Sequence, residues 1–181
     1  MDLFGKEVVK RKRKTRIQSR LESMDKNTLN ERIERSKYLN KIIPPNIGFI
    51  YSPEMHYLLK EANLSFINGQ FVATLLLSQS FIEHWLEGRI DKNTIKKYGK
   101  PSLDNTLKAI KEKNTIHISL LNKIDKLRKI RNPFVHYKNP DYEFNIMKMS
   151  YSEKTKPDDY LYNEAKNAIS LVYQICITKF Y

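Results

Sequence analysis

Residues 53–90 read PEMHYLLKEANLSFINGQFVATLLLSQSFIEHWLEGRI. This stretch decides the fold class. Ser52 before Pro53 is a helix start: a side-chain cap, then a residue with no N–H to waste in the first turn. Met55, Leu58, Leu59, Ala62 and Phe66 then fall on one face. Asn68-Gly69 is a stop. A second helix follows at once and is apolar nearly all round for three turns, so it should be central and buried. Two helices joined by so short a turn form an antiparallel hairpin.

The rest of the chain repeats the helical period. Residues 26–43 carry Leu29 and Ile33 at helical intervals; Asn27 or Thr28 would cap this helix and Pro44-Pro45 would end it. A short extended piece, NIGFIYS, follows. After a break at Gly99-Lys100-Pro101, Ser102 starts a helix with Leu103, Leu107 and Ile110 on one face. Leu120, Ile124, Leu127 and Ile130 form the stripe of the next. Residues 139–156 alternate weakly and predict a loop or short hairpin. Pro157-Asp158-Asp159 opens a last helix, in which Leu161, Ala165, Ala168, Ile169, Val172, Ile175 and Cys176 recur at helical spacing. The expectation is an all-α, up-and-down bundle of four to five helices in residues 51–181. A basic arm and short helix precede it in residues 1–50.

Charge narrows the partners. The 181 residues hold 33 Lys and Arg against 20 Asp and Glu, a net charge of +13. Residues 1–20 contribute eight basic and two acidic side chains, 8 − 2 = +6, leaving +7 for the remainder. A surplus of this size favours polyanions such as nucleic acid or an anionic membrane surface. Arg11, Lys12, Arg13 and Lys14 are candidate phosphate contacts; the plainer reading of the arm is a solvated, disordered segment. The single cysteine, Cys176, excludes an intramolecular disulfide and fits a reducing, cytoplasmic setting. The N-terminus has no apolar leader, and FVATLLLSQSFI is too short to span a bilayer, so no membrane partner is expected. No His/Cys/Asp cluster has metal-ligand spacing, and no cofactor is expected.

Residues 131–136 read Arg-Asn-Pro-Phe-Val-His. Five residues along a straight helix turn about 140°, which would point Arg131 and His136 apart. Pro133 disfavours helix at Asn132 and removes a donor, while Asn132-Pro133 is itself a helix-start pair. The expectation is therefore a helix that ends near Ile130 and restarts, or kinks, so that Arg131 and His136 face one cleft. Phe134 and Val135 would then anchor the second segment in the core. Histidine moves protons near neutral pH, and arginine holds phosphate by paired donors. Together they suit RNA cleavage through the ribose 2′-OH. The plainer alternatives are a satisfied, partly buried histidine and an arginine at a helix C-terminus. Val72, Leu76, Gln79, Glu83 and Leu86 follow one line of the buried helix. A carboxylate there needs a partner, so Glu83, assisted by Gln79, is expected either to orient Arg131 or His136 or to lie at the helix edge in water. His84 and His117 read as surface residues and Trp85 as a packing group. Tyr137, next to His136, is a packing group or a supporting residue that could line the cleft, and Lys138 is a further candidate nucleic-acid contact.

With these residues in view, the sequence resembles the HEPN family (higher eukaryotes and prokaryotes nucleotide-binding). That family is known by an all-α bundle and a late R-x(4–6)-H motif, often RNxxxH. Here the motif is Arg131-Asn132-Pro-Phe-Val-His136, preceded by IDKLRKI. LLKEANLSFINGQFVATLLLSQSFIEHWLEGRI resembles the family's first hairpin. The likeness covers residues 52–181. It implies a metal-independent endoribonuclease of a bacterial defence or toxin–antitoxin system, acting as a homodimer with one composite cleft. By the motif, Arg131 and His136 are catalytic and Asn132 is the polar residue that orients them or contacts phosphate. An antitoxin or sensor protein would be a further partner. Some relatives carry a modified tyrosine two residues after the histidine; Lys138 stands there in this chain, which departs from that pattern. Two readings compete: a non-catalytic HEPN module that binds RNA, nucleotide or protein, and a helical dimerisation scaffold whose basic arm binds nucleic acid non-specifically.

Overall fold

A computed structural model describes residues 14–45, 52–99 and 102–178. Arg11, Lys12, Arg13 and most of the extended piece NIGFIYS lie outside the described residues. Among the described residues the regular structure is helical. The elements are α1 (Arg16–Ile42), α2 (Pro53–Ile67), α3 (Phe71–Glu87), α4 (Lys92–Lys96), α5 (Leu103–Lys113), α6 (Ile118–Val135), α7 (Ile146–Ser152) and α8 (Pro157–Cys176). No helix is long and apolar enough to cross a membrane among these residues.

The helix starts follow local chemistry. Ser52 Oγ accepts from the Met55 N–H at 3.3 Å, ahead of Pro53. Ser102 Oγ does the same for Asn105 at 3.3 Å. Between α2 and α3 the chain turns at Gly69, whose φ of +76° favours glycine. α3 is the centre: it packs against α2, α8, α6 and α5. Leu75, Ile82 and Leu86 of α3 are fully buried beside Phe66, Ile110, Ile124, Ile130, Ile169 and Val172 of the surrounding helices. Trp85 is in this core, with the Arg89 guanidinium 3.7 Å over its ring. Burial also pushes the Cys176 thiol up to about 11. It is thus a poor nucleophile at neutral pH.

From residue 53 on, the described residues hold seven helices rather than four or five, and the short α4 is not among those expected. Two further elements also differ from the sequence expectation. α1 starts at Arg16 rather than near Asn27, because Thr15 and Gln18 form a reciprocal capping box: Gln18 N–H donates to Thr15 Oγ1 at 3.2 Å and Thr15 N–H to Gln18 Oε1 at 2.8 Å. The basic run thus enters a helix by residue 16, and its side chains there stay exposed to solvent. Residues 146–152 form α7, capped by Asn145, in place of the loop or short hairpin expected there.

The C-terminal half of α1 belongs to the core. Leu39 is buried, and the Tyr38 and Phe66 rings lie 5.8 Å apart. Arg35, only 7% exposed, spends its charge on the end of α2. Its Nε donates to the Ile67 carbonyl at 2.8 Å, and Nη1 pairs with Glu31 at 3.2 Å. An added Cβ on Gly69 would sit 3.4 Å from Arg35 Nη2. A charged donor on an otherwise open helix C-terminus is worth more than a neutral one. Arg35→Ala is expected to lower stability by about 2 kcal/mol and the unfolding temperature by roughly 4–8 °C. Hydrogen exchange should rise first in α1. An unchanged melting curve would contradict this role.

Candidate active site

α6 carries the motif and passes through Pro133 without interruption to Val135. Of the two expected forms, the helix that ends near Ile130 and restarts is not there. Two hydrogen bonds explain the continuity. Pro133 lacks the N–H that would reach the Lys129 carbonyl, and the Tyr142 hydroxyl donates to that carbonyl at 3.1 Å. One turn on, the His136 N–H reaches the Asn132 carbonyl at 2.9 Å, so the helical pattern resumes at once. Pro133 also sits in the last turn, where little helix remains to be disrupted. Phe134 packs against the core as expected, but Val135 is 48% exposed and anchors nothing.

Arg131 turns toward α3. Its Nε donates to Gln79 Oε1 at 2.6 Å, and its Nη2 lies 3.4 Å from Glu83 Oε1. Gln79 Nε2 donates to the same carboxylate oxygen at 2.7 Å. The three side chains form a closed triangle across the α3–α6 contact. Gln79 is 1% exposed, and its amide can stand only one way round: oxygen to the cation, nitrogen to the anion. The Arg131 and Glu83 side chains keep 18% and 28% of their exposure. Nη1 of Arg131 has no hydrogen-bond partner among the described residues. The guanidinium is therefore fixed on one edge and available on the other, the arrangement a phosphate clamp needs.

His136 caps α6 with extended backbone, φ −128° and ψ 135°. Its ring is exposed and makes no hydrogen bond among the described residues, so it is not a buried, satisfied histidine. Asn132 is half-buried and gives its carbonyl to the His136 amide. Tyr137 is 94% exposed. The Lys138 ammonium lies 5.5 Å over the Tyr142 ring, and Lys14 pairs with Glu22 at 2.5 Å. The fold thus joins Gln79, Glu83 and Arg131, while His136 stands one turn on, outside that triangle. Other cations of α6 are committed elsewhere: Arg128 and Lys129 to Asp125 at 2.6 and 2.9 Å, and Lys126 to Glu164 at 2.8 Å. Burial pushes the Asp125 carboxyl up, but its hydrogen bonds and charge pairing with Lys129 and Arg128 outweigh this and hold it low.

A cleft of about 290 Å³ lies between α6 and α8, and neither Arg131 nor His136 borders it. Among the described residues no group of three or more His, Cys, Asp or Glu side chains is placed to hold a metal ion. His84 and His117 are exposed, and the His117 ring caps α6 by accepting from the Ser119 N–H at 3.2 Å.

Sequence reasoning missed Tyr142. The signal was present: a proline inside a helix strands the carbonyl four residues earlier, and a tyrosine stands a short span beyond. No protein-family model matches the chain, and no curated protein or solved structure matches it.

Proposed function

We propose that this chain is a HEPN-type, metal-independent endoribonuclease of the bacterial defence or toxin–antitoxin kind, working in the cytoplasm as a homodimer. The observation that carries the reading is the clasp on Arg131: Gln79 and Glu83 hold its guanidinium, and the motif histidine follows at the exposed end of the same helix. In this reading the guanidinium binds the scissile phosphate. One imidazole takes the proton from the ribose 2′-OH, whose oxygen attacks phosphorus. The P–O5′ bond breaks, and a second imidazole gives its proton to the leaving 5′-oxygen. The products are a 2′,3′-cyclic phosphate and a 5′-hydroxyl. One chain offers one motif histidine, so two copies of His136 would supply base and acid. Asn132, Tyr137 and Lys138 line the approach, and an antitoxin or sensor protein would control it.

The test is incubation of purified protein with total RNA and tRNA in EDTA. Cleavage leaving cyclic phosphate ends is the expected result. Intact RNA beside saturable RNA or nucleotide binding would favour the second reading, a non-catalytic binding module. One observation supports that alternative: Glu83 already offsets the charge of Arg131.

A further inference from the structure

After His136 the chain does not simply leave. It returns along α6, and the Tyr142 hydroxyl lands on the carbonyl of Lys129 at 3.1 Å. That carbonyl lies seven residues before His136, roughly 10 Å back along the helix at the usual rise. It is the acceptor that Pro133 leaves without a donor. The return path is braced throughout. Asn139 Oδ1 accepts from the Asp141 N–H at 3.0 Å, and the Asn139 carbonyl accepts from the Tyr142 N–H at 2.9 Å. The Tyr142 ring lies 6.0 Å from Phe144, and the Lys129 ammonium lies 5.6 Å over Phe144. Lys148 Nζ donates to the Asp141 carbonyl at 2.8 Å.

Residues 136–142 are therefore a strap with two anchors on α6. One is the His136 N–H on Asn132, at 2.9 Å. The other is the Tyr142 hydroxyl. The His136 ring has no hydrogen bond among the described residues to fix it, so its place is set by the backbone that carries it.

We propose that Tyr142 is a positioning residue for His136: its hydroxyl uses the acceptor stranded by Pro133 to close the 136–142 strap on α6, and so sets where the imidazole stands. This rests on reading His136 as a catalytic residue. It also gives Pro133 a purpose. A proline here does not break the helix; it leaves an acceptor open for the strap. A regular helix would have filled that acceptor itself.

The experiment compares four proteins: wild type, Tyr142→Phe, Pro133→Ala, and the double variant. Three readouts are taken: thermal unfolding, the ring NMR signals of His136, and RNA cleavage in EDTA. Tyr142→Phe keeps the ring and loses the hydroxyl. It should lower the unfolding temperature, shift the His136 signals and slow single-turnover cleavage about tenfold, the scale of a small misplacement. Adding Pro133→Ala supplies an N–H to the Lys129 carbonyl. The double variant should regain its unfolding temperature while cleavage stays slow and the His136 signals stay shifted, because the strap still lacks its anchor. Return of all three readouts together would overturn the proposal, since Tyr142 would then only fill a helix vacancy. Unmoved His136 signals in Tyr142→Phe would overturn it as well. A wild type that cuts no RNA refutes the ribonuclease reading alone; the NMR arm still decides the role of Tyr142.

Discussion

His136→Ala should lose about 10²–10⁴-fold of the RNA cleavage seen in EDTA, the range for removing a positioned general acid or base. Its unfolding temperature should hardly move, because the ring is exposed and makes no hydrogen bond among the described residues. Arg131→Ala should be as inactive but should also melt earlier. Its removal leaves Gln79, 1% exposed, without the donor it accepts from at 2.6 Å, and Glu83 without its cation. A buried acceptor left unsatisfied costs about 1–3 kcal/mol. The pair of variants thus separates two kinds of damage. Wild-type cleavage by His136→Ala would end the catalytic reading of the motif. An Arg131→Ala protein as stable as wild type would mean that the α3–α6 clasp holds little.

Some of this architecture can be read from the chain alone, and the reasons are local. Ser52-Pro53, Ser102 and Pro157 carry helix starts in their own chemistry, and each helix begins where expected. The apolar density of α3 predicts its central place, because a helix apolar nearly all round has nowhere else to go. The period along α3 also puts Gln79 and Glu83 on a buried line. Their partner is 52 and 48 residues away, and only the packing of α6 on α3 brings Arg131 to them. Pro133 shows the opposite case. The local rule predicts a break, but the penalty is a missing donor, and a tyrosine 13 residues from the stranded carbonyl supplies one. Tertiary contact thus cancels a local signal. At α1 the density of Lys and Arg suggests a solvated arm and hides Thr15-x-x-Gln18, a short signature that was legible but outweighed.

Gln79→Leu should be among the most damaging single substitutions on α3. Leucine suits the burial and nearly matches the volume, so cavity formation is a small part of the effect. The damage is polar. The Arg131 Nε–H loses its acceptor at 2.6 Å, and the Glu83 carboxylate loses a donor at 2.7 Å. Stranding charged groups in a half-buried site costs about 2–4 kcal/mol, which for a chain of this size lowers the unfolding temperature by roughly 4–16 °C. Cleavage should fall too, since the guanidinium would then hold only its longer contact with Glu83. The companion variant separates the causes. Gln79→Leu combined with Arg131→Met and Glu83→Leu removes every member of the triangle and leaves an apolar contact between α3 and α6. Replacing a buried ionic cluster with packed apolar groups is often neutral or stabilising. The triple variant should therefore recover most of the lost melting temperature and yet cut no RNA. Recovery of stability without activity would mean that the triangle holds a cation in place for chemistry at some cost to the fold. A triple variant that melts as early as Gln79→Leu would instead make the triangle a structural bond between the two helices.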